Sequence, residues 1–353
     1  MITIGVDAHK SVHVALALND AGQELGHWQG PNSAKGWQSL TRWAAAFGVP
    51  LQWGVEGAWG CGRGLAQHLV VAGATVYEVN GRWTVLGRRS ARKPGKTDRL
   101  DARAVAALVR QEASSLPRVS PEDDTTVIEL LATEREGVVV EATRLRNRLH
   151  ALLLQIDPEY RGHVPSLKSQ AGLRALETYA SSGSSFLEHQ RAAAVRRLAG
   201  RLRLALTQAE ELAEQIREHA RSRFSPLTQL CGVNLLTAGI LAGILGPGHR
   251  FSSDAELAAY AGAASLEASS AGLVRHRLNR GGNRRLNAVL YRIALTQAHH
   301  SPEARAYLER RVAEGKTRRE AIRALKRFIV RAIWRLWQQC QPGRLTERTE
   351  VAA

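Results

Sequence analysis

The chain has 353 residues, 44% hydrophobic and 5% aromatic, with 49 Lys and Arg against 32 Asp and Glu, a net charge of +17. At roughly 100–200 residues per domain this length fits two or three domains with their own cores, and a compact metabolic enzyme rarely needs such a basic excess. Three scattered cysteines, Cys61, Cys231 and Cys340, are too few for a disulfide framework or a cysteine zinc site. MITIGVDAHK has no apolar segment of a signal peptide, and no stretch approaches 18 uninterrupted apolar residues. The expectation is a soluble intracellular protein in contact with nucleic acid. Only seven of the 49 basic residues are Lys. Phosphate binding and GC-rich codon usage both produce an Arg-rich chain, and only the positions of the arginines separate them.

In chain order, residues 2–6 and 11–18 are β-rich, Asn-Asp-Ala-Gly follows as a turn, and a third short strand is predicted near 24–28. A helix is predicted at 34–47, a strand at 51–56, a helix at 62–72, a strand at 75–79 and a helix at 98–113. Three strands in series followed by alternating helix and strand is the order of a ribonuclease H-like α/β domain, although another mixed-sheet domain has the same periodicity.

Residues 122–222 change character. Ile128, Leu131, Val138, Ala142, Leu145, Leu149, Leu152 and Ile156 recur at alternating three- and four-residue steps, with Arg135 the one polar member. Val195, Leu198, Leu202, Ala205, Ala209, Leu212 and Ile216 repeat the pattern after the Pro/Gly/Ser-containing stretch 157–184. Two heptad helices form either an oligomerising coiled coil or a pair packed within one chain.

From Arg223 onward the chain is helical and basic. LCGVNLLTAGILAGIL (230–245) sets a Gly turn before a small-residue helix, as a helix-hairpin-helix element does. Residues 271–340 hold 17 Lys and Arg and four Asp and Glu, a balance of +13. Codon bias would spread Arg evenly, so this clustering favours polyanion binding. Arg284 and Arg285 open a helix after a Gly-Gly turn, placed for phosphate contacts. The predicted helix 317–338 carries Arg318, Arg319, Arg323, Lys326 and Arg327 beside an apolar stripe of Ile322, Leu325, Ile329, Ile333 and Leu336. Trp334 and Trp337 read as core, and His299 and His300 as the end of a helix.

Four acids stand out as candidate chemistry. Asp7 and Glu56 end predicted strands, and Asp98 and Asp101 lie three apart at a helix start, so those two share a face. Two-metal phosphoryl transfer uses such a set, because two Mg²⁺ ions need hard oxygen ligands from separate elements. Asp98 and Asp101 would equally complement a helix N-terminus, and Glu56 would equally be an exposed strand-end residue.

The chain resembles the DEDD-type insertion-sequence transposases of the insertion-sequence one-ten family, recombinases guided by a bridge RNA. The matching segments are IGVDAHK, GVEGAWG and GKTDRLDARAVA, then LCGVNLLTAGILAGILG, FSSDAELAAYAGAA and ASSAGLVRHRLNRGGNRRL, in order from residue 1 to about 340. The resemblance implies a RuvC-like domain at 1–118 with Asp7, Glu56, Asp98 and Asp101 as its Mg²⁺-binding tetrad. It implies coiled-coil dimerisation helices at 119–222, a helical transposase domain at 223–341 and a tail at 342–353. The last domain would supply a serine nucleophile that becomes joined to DNA. Counted from Gly262 this is Ser270; the next residue is Ala271 where the family usually has Gly, which leaves Ser269 as the alternative. Arg275, Arg277 and Arg280 would stabilise the transferring phosphoryl group. The implied partners are donor and target DNA, a noncoding bridge RNA and further copies of the chain, as a homodimer or tetramer, with no membrane. The implied setting is the bacterial cytoplasm, at the nucleoid during action. Two other readings remain: a RuvC-like Mg²⁺-dependent endonuclease that hydrolyses DNA with water, and a nucleic-acid-binding scaffold whose acids cap helices.

Overall fold

The structure is a computed structural model that describes residues 1–48, 51–81, 97–164, 166–181, 183–247, 250–264, 266–267, 276–277 and 282–341. These pack as two units, one of Met1–Asp123 with His249–Phe251, the other of Asp124–Gly248 with Ser252–Ala353.

Among the described residues of the first unit, alternating and continuous apolar runs form five strands: β1 (Ile2–Ala8), β2 (Val12–Leu18), β3 (Glu24–Pro31), β4 (Leu51–Glu56) and β5 (Thr75–Val79). They make one mixed sheet in the order β3-β2-β1-β4-β5, antiparallel across β3, β2 and β1 and parallel across β1, β4 and β5. The mixed α/β sheet expected from the element order is therefore present. Helices α1 (Ala34–Ala45) and α2 (Arg63–Val71) cover one face, where Ile4, Val6, Leu40, Val55, Leu65 and Leu69 are buried together. Helix α3 (Asp98–Glu112) covers the other, packing Ala102, Ala106, Val105 and Val109 on Leu16, Leu18 and Val79.

Two glycines set the height of α3 above the sheet. A Cβ on Gly5 would lie 2.2 Å from Ala106 N and 2.3 Å from Ala102 O, both backbone atoms. One on Gly54 of β4 would lie 2.5 Å from Val109 Cγ2. Glycine is required here by close approach of a helix backbone. The helix is also tied to the sheet edge: Arg99 Nη2 is 2.6 Å from Glu24 Oε1, and Arg103 and Arg110 donate to the carbonyls of Gly22 and Asp20.

Among the described residues, the second unit is helical apart from one short strand pair. Helices α4 (Asp124–Ile156, 33 residues) and α6 (Phe186–Arg223, 38 residues) pack along each other, with the short α5 (Gln170–Glu177) against α6. Arg201 Nη2 meets Glu141 Oε1 at 3.2 Å and Arg135 Nε meets Ala209 O at 3.2 Å, so the long pair runs antiparallel. Leu145, Leu149, Val195, Leu202 and Ala205 of the expected stripes are buried at this seam. These stripe positions thus meet within one chain.

Helices α7 (Leu235–Leu245), α8 (Asp254–Tyr260), α9 (Arg284–His300), α10 (Pro302–Ala313) and α11 (Arg318–Gln339) complete the unit. Each begins at a side-chain cap: Asn234, Ser253, Asn283, Ser301 and Thr317, the last in a capping box with Glu320. Two-residue strands β6 (Leu266–Glu267) and β7 (His276–Arg277) pair antiparallel. Trp337 is fully buried and stacks on Phe224 at 5.5 Å, while Trp334 is half-buried. Among the described residues no helix is long and apolar enough to cross a membrane.

Candidate active site

The acids of the first unit gather where β1 and β4 end. Thr3, Gly5 and Asp7 alternate onto the α3 face of β1, as Gln52, Gly54 and Glu56 do on β4. The register pairs Val6 with Val55, so Asp7 and Glu56 occupy the next positions on neighbouring parallel strands. This is the strand edge where open α/β sheets bind ligands. Helix α3 brings the other two acids. Thr97 caps it, its Oγ1 accepting from Leu100 N at 3.3 Å, so Asp98 and Asp101 fall in the first turn above the strand ends.

Asp7 is 5% exposed and Asp101 7% exposed, whereas Asp98 is open to solvent. Burial raises the Asp7 carboxyl above the usual carboxylate range; nearby His9 opposes the shift, and the negative charges of Asp101 and Asp98 add to it. Asp7 Oδ2 is buried and has no well-aligned hydrogen-bond donor. His9 Nε2 lies 3.1 Å from that oxygen, within ion-pair range but off the line a hydrogen bond needs. The same nitrogen is 3.6 Å from Asp98 Oδ1.

A buried carboxylate oxygen without a well-aligned donor, flanked by further acids, is costly unless a cation neutralises it. The donor set fits a divalent metal ion, with Asp7 and Asp98 as oxygen ligands, the charge of Asp101 close by, and Glu56 on the neighbouring strand by register but outside this group of donor atoms.

The loops that carry these residues are joined by one side chain. Asn32 Nδ2 contacts the carbonyls of His9 (3.4 Å), Lys10 (3.1 Å) and Cys61 (3.3 Å), and its Oδ1 accepts from Trp37 Nε1 at 3.0 Å. The turn after β1 is thereby tied to the loop after β4. Neither His9 nor Asn32 was singled out from sequence. For His9 the available signal was its place two residues beyond a strand-end Asp; Asn32 lies in an ordinary turn and gave none.

The described basic residues expected to bind nucleic acid divide into two groups. Arg284, Arg318, Arg319 and Arg323 are exposed. Three others depart from the expected phosphate-binding surface because they face partners inside the unit. Lys326 is 6% exposed and donates from Nζ to Asn287 Oδ1 at 2.9 Å. Arg327 Nη1 is 2.8 Å from Asp254 Oδ2. Arg285 pairs with Glu129 and, at 2.7 Å, with Glu136 of α4. Lys326 follows Ile322 by four residues and precedes Ile329 by three, so helical geometry places it on the apolar stripe. Ser269, Ser270, Arg275 and Arg280 lie outside the described residues, and of Arg277 only the backbone, in β7, is described.

Residues 4–158 match a transposase family of the DEDD IS110 type, and residues 225–309 match the transposase IS116/IS110/IS902 family. The chain is 29% identical to a 43.6 kDa protein of insertion element IS110 from Streptomyces coelicolor, over 92% of this chain and 91% of that one. It is 25% identical to a 42 kDa protein of insertion element IS900 from Mycobacterium paratuberculosis, over 94% of each. A 44.8 kDa protein of insertion element IS116 from Streptomyces clavuligerus is 29% identical over 56% of this chain and 46% of its own length. Both family matches, in order along one chain, and full-length similarity to IS110 and IS900 proteins agree: the chain belongs to the IS110 family of insertion-sequence transposases.

Proposed function

We propose that this transposase exchanges DNA strands through a covalent serine–DNA phosphodiester formed beside a Mg²⁺-loaded centre of Asp7, Glu56, Asp98 and Asp101. The observation that carries the reading is the buried Asp7 carboxylate at the strand ends, with the negative charges of Asp101 and Asp98 close to it. Residues 1–118 act as a RuvC-like nuclease domain, 119–222 as dimerisation helices, and 223–341 as the domain that supplies the nucleophile, with 342–353 a tail. When bound, Mg²⁺ supplies the positive charge that stabilises the attacking and leaving oxygens of an in-line displacement. The Ser270 oxygen forms a bond to phosphorus as the bond to a DNA oxygen breaks, and the serine proton ends on the departing DNA hydroxyl. A DNA hydroxyl from the partner strand then attacks the phosphoserine, and Ser270 regains its proton. No external energy source is needed, because one phosphodiester replaces another. Arg275, Arg277 and Arg280 offset the charge on the transferring phosphoryl group.

A noncoding bridge RNA selects donor and target sites by base pairing, as in other RNA-guided systems. The protein works as a homodimer or tetramer in the cytoplasm, at the nucleoid. The exposed Arg284, Arg318, Arg319 and Arg323 of the basic stretch 271–340 support contact with both nucleic acids.

The test combines three variants with donor and target DNA, the RNA that co-purifies with the protein, and Mg²⁺. Ser270→Ala should lose both the covalent protein–DNA adduct and strand exchange, Ser269→Ala should keep both, and Asp101→Asn should bind nucleic acid but not cut. An adduct mapped by mass spectrometry to Ser269 moves the nucleophile by one residue. Cleavage by Ser270→Ala without any adduct replaces the recombinase by a hydrolytic RuvC-like endonuclease.

A further inference from the structure

We propose that His9 is a nitrogen ligand of the metal centre, which makes the site a mixed carboxylate–imidazole one. This rests on the reading of the acids as a divalent-cation site and adds to it a residue outside the four carboxylates.

The argument begins with donor spacing. One atom each of Asp7, His9 and Asp98 lie within 4.8 Å of one another, with His9 Nε2 at 3.1 Å from Asp7 Oδ2 and 3.6 Å from Asp98 Oδ1. For metal–ligand bonds of about 2.1 Å, donors at a right angle are roughly 3.0 Å apart and donors at a tetrahedral angle roughly 3.4 Å apart. The observed separations are close to those of donors around one ion. Alignment gives the second observation. Asp7 Oδ2 is buried and 3.1 Å from the ring nitrogen, without the alignment of a straight hydrogen bond to it. Proximity without alignment suits two donors aimed at a common third centre better than a directed bond between them.

The backbone holds the ring in place. His9 N donates to Val12 O at 3.1 Å in the tight β1–β2 turn, and Asn32 contacts the carbonyls of His9 and Lys10. His9 follows Asp7 by two residues, so both side chains reach the same point from one strand end.

The chemical consequence concerns metal choice. Carboxylates suit Mg²⁺, whereas an imidazole ligand favours metals later in the first transition row, and Mn²⁺ accepts both kinds of donor. The centre should therefore bind Mn²⁺ more tightly than Mg²⁺, and His9 should account for the difference.

The experiment uses the full chain without nucleic acid, titrated with Mn²⁺ and with Mg²⁺ by calorimetry and examined with Mn²⁺ by pulsed electron paramagnetic resonance. The wild type should show the coupling of a directly bound nitrogen. His9→Ala should lose it and weaken Mn²⁺ binding about tenfold or more, with a smaller change for Mg²⁺. His9→Gln, which offers an amide oxygen instead, should bind Mn²⁺ without the nitrogen coupling. Mn²⁺ bound by the wild type without that coupling, or a coupling that survives in His9→Ala, overturns His9 as a ligand and leaves the carboxylate centre standing. Absence of any Mn²⁺ or Mg²⁺ binding overturns both readings.

Discussion

Substituting Gly5 by Ala tests whether the height of α3 above the sheet sets the active site. The new Cβ would sit 2.2 Å from Ala106 N and 2.3 Å from Ala102 O. Ordinary non-bonded contact needs about 3.5 Å, so the helix must retreat by roughly 1.2 Å. Neither clashing atom belongs to a side chain that can rotate away. Overpacking of this kind costs about 1–3 kcal/mol, which leaves a folded protein if its stability is ordinary. The retreat also carries Asp98 and Asp101 away from Asp7, because they sit in the first turn of the same helix. A misplacement of about 1 Å costs on the order of 100-fold in rate. Gly5→Ala should therefore unfold at lower denaturant, bind Mn²⁺ more weakly and cut DNA about 100-fold more slowly. Gly137→Ala is the control: it lies on the exposed side of α4 with nothing within 4 Å of the added Cβ, and should gain roughly 0.5–1 kcal/mol. Wild-type stability and cleavage in Gly5→Ala would refute the reasoning, since the helix could then not be resting on that strand.

Three further outcomes follow from charge and burial. Arg318, Arg319 and Arg323 are exposed at the start of α11, so replacing all three by Glu should lower the slope of log affinity against log salt by roughly 2–3 in a filter-binding titration; an unchanged slope would mean that this face meets only solvent. Cys340 is buried and its thiol is pushed up to about 11 by that burial, whereas Cys61 and Cys231 are exposed. A thiol reagent at pH 8 should label two cysteines in the folded protein and three after unfolding; rapid labelling of Cys340 would mean that its end of α11 opens. Its folded thiol stays protonated where the unfolded one, near 9, ionises, so stability should fall as pH rises from about 9 to about 11.

The strands and helices of the first unit were legible because their signals are local. Ile4, Val6, Ala15 and Ala17 alternate, β4 and β5 are short apolar runs between turns, and α3 starts at a Thr cap with two acids. Strand ends were accurate to within a few residues: β1 and β3 run on to Ala8 and Pro31, because ladder pairing with β2 continues past the last apolar residue. The four acids stand out in the sequence because a carboxylate at a strand end and a pair one helical turn apart can be read from spacing; the structure brings donor atoms of Asp7 and Asp98 together, with the charge of Asp101 close by. The heptad stripes of α4 and α6 announced a seam, but a stripe does not say whether its partner is another chain or the same one.

Tertiary structure decided what depends on residues distant in sequence. His9 and Asp98 meet because Gly5 and Gly54 let α3 settle onto the sheet, an approach no local pattern encodes. The arginine count was visible in the chain, but the availability of each guanidinium was not. Arg285 is engaged by acids on α4, some 150 residues earlier in the chain. Arg327 is held by Asp254, and Lys326 lies against Asn287 under the apolar stripe. Composition fixes how much charge a chain carries, because charge adds residue by residue. Packing fixes where that charge can act, because a buried or paired cation is held by its internal partner and is closed to an incoming phosphate.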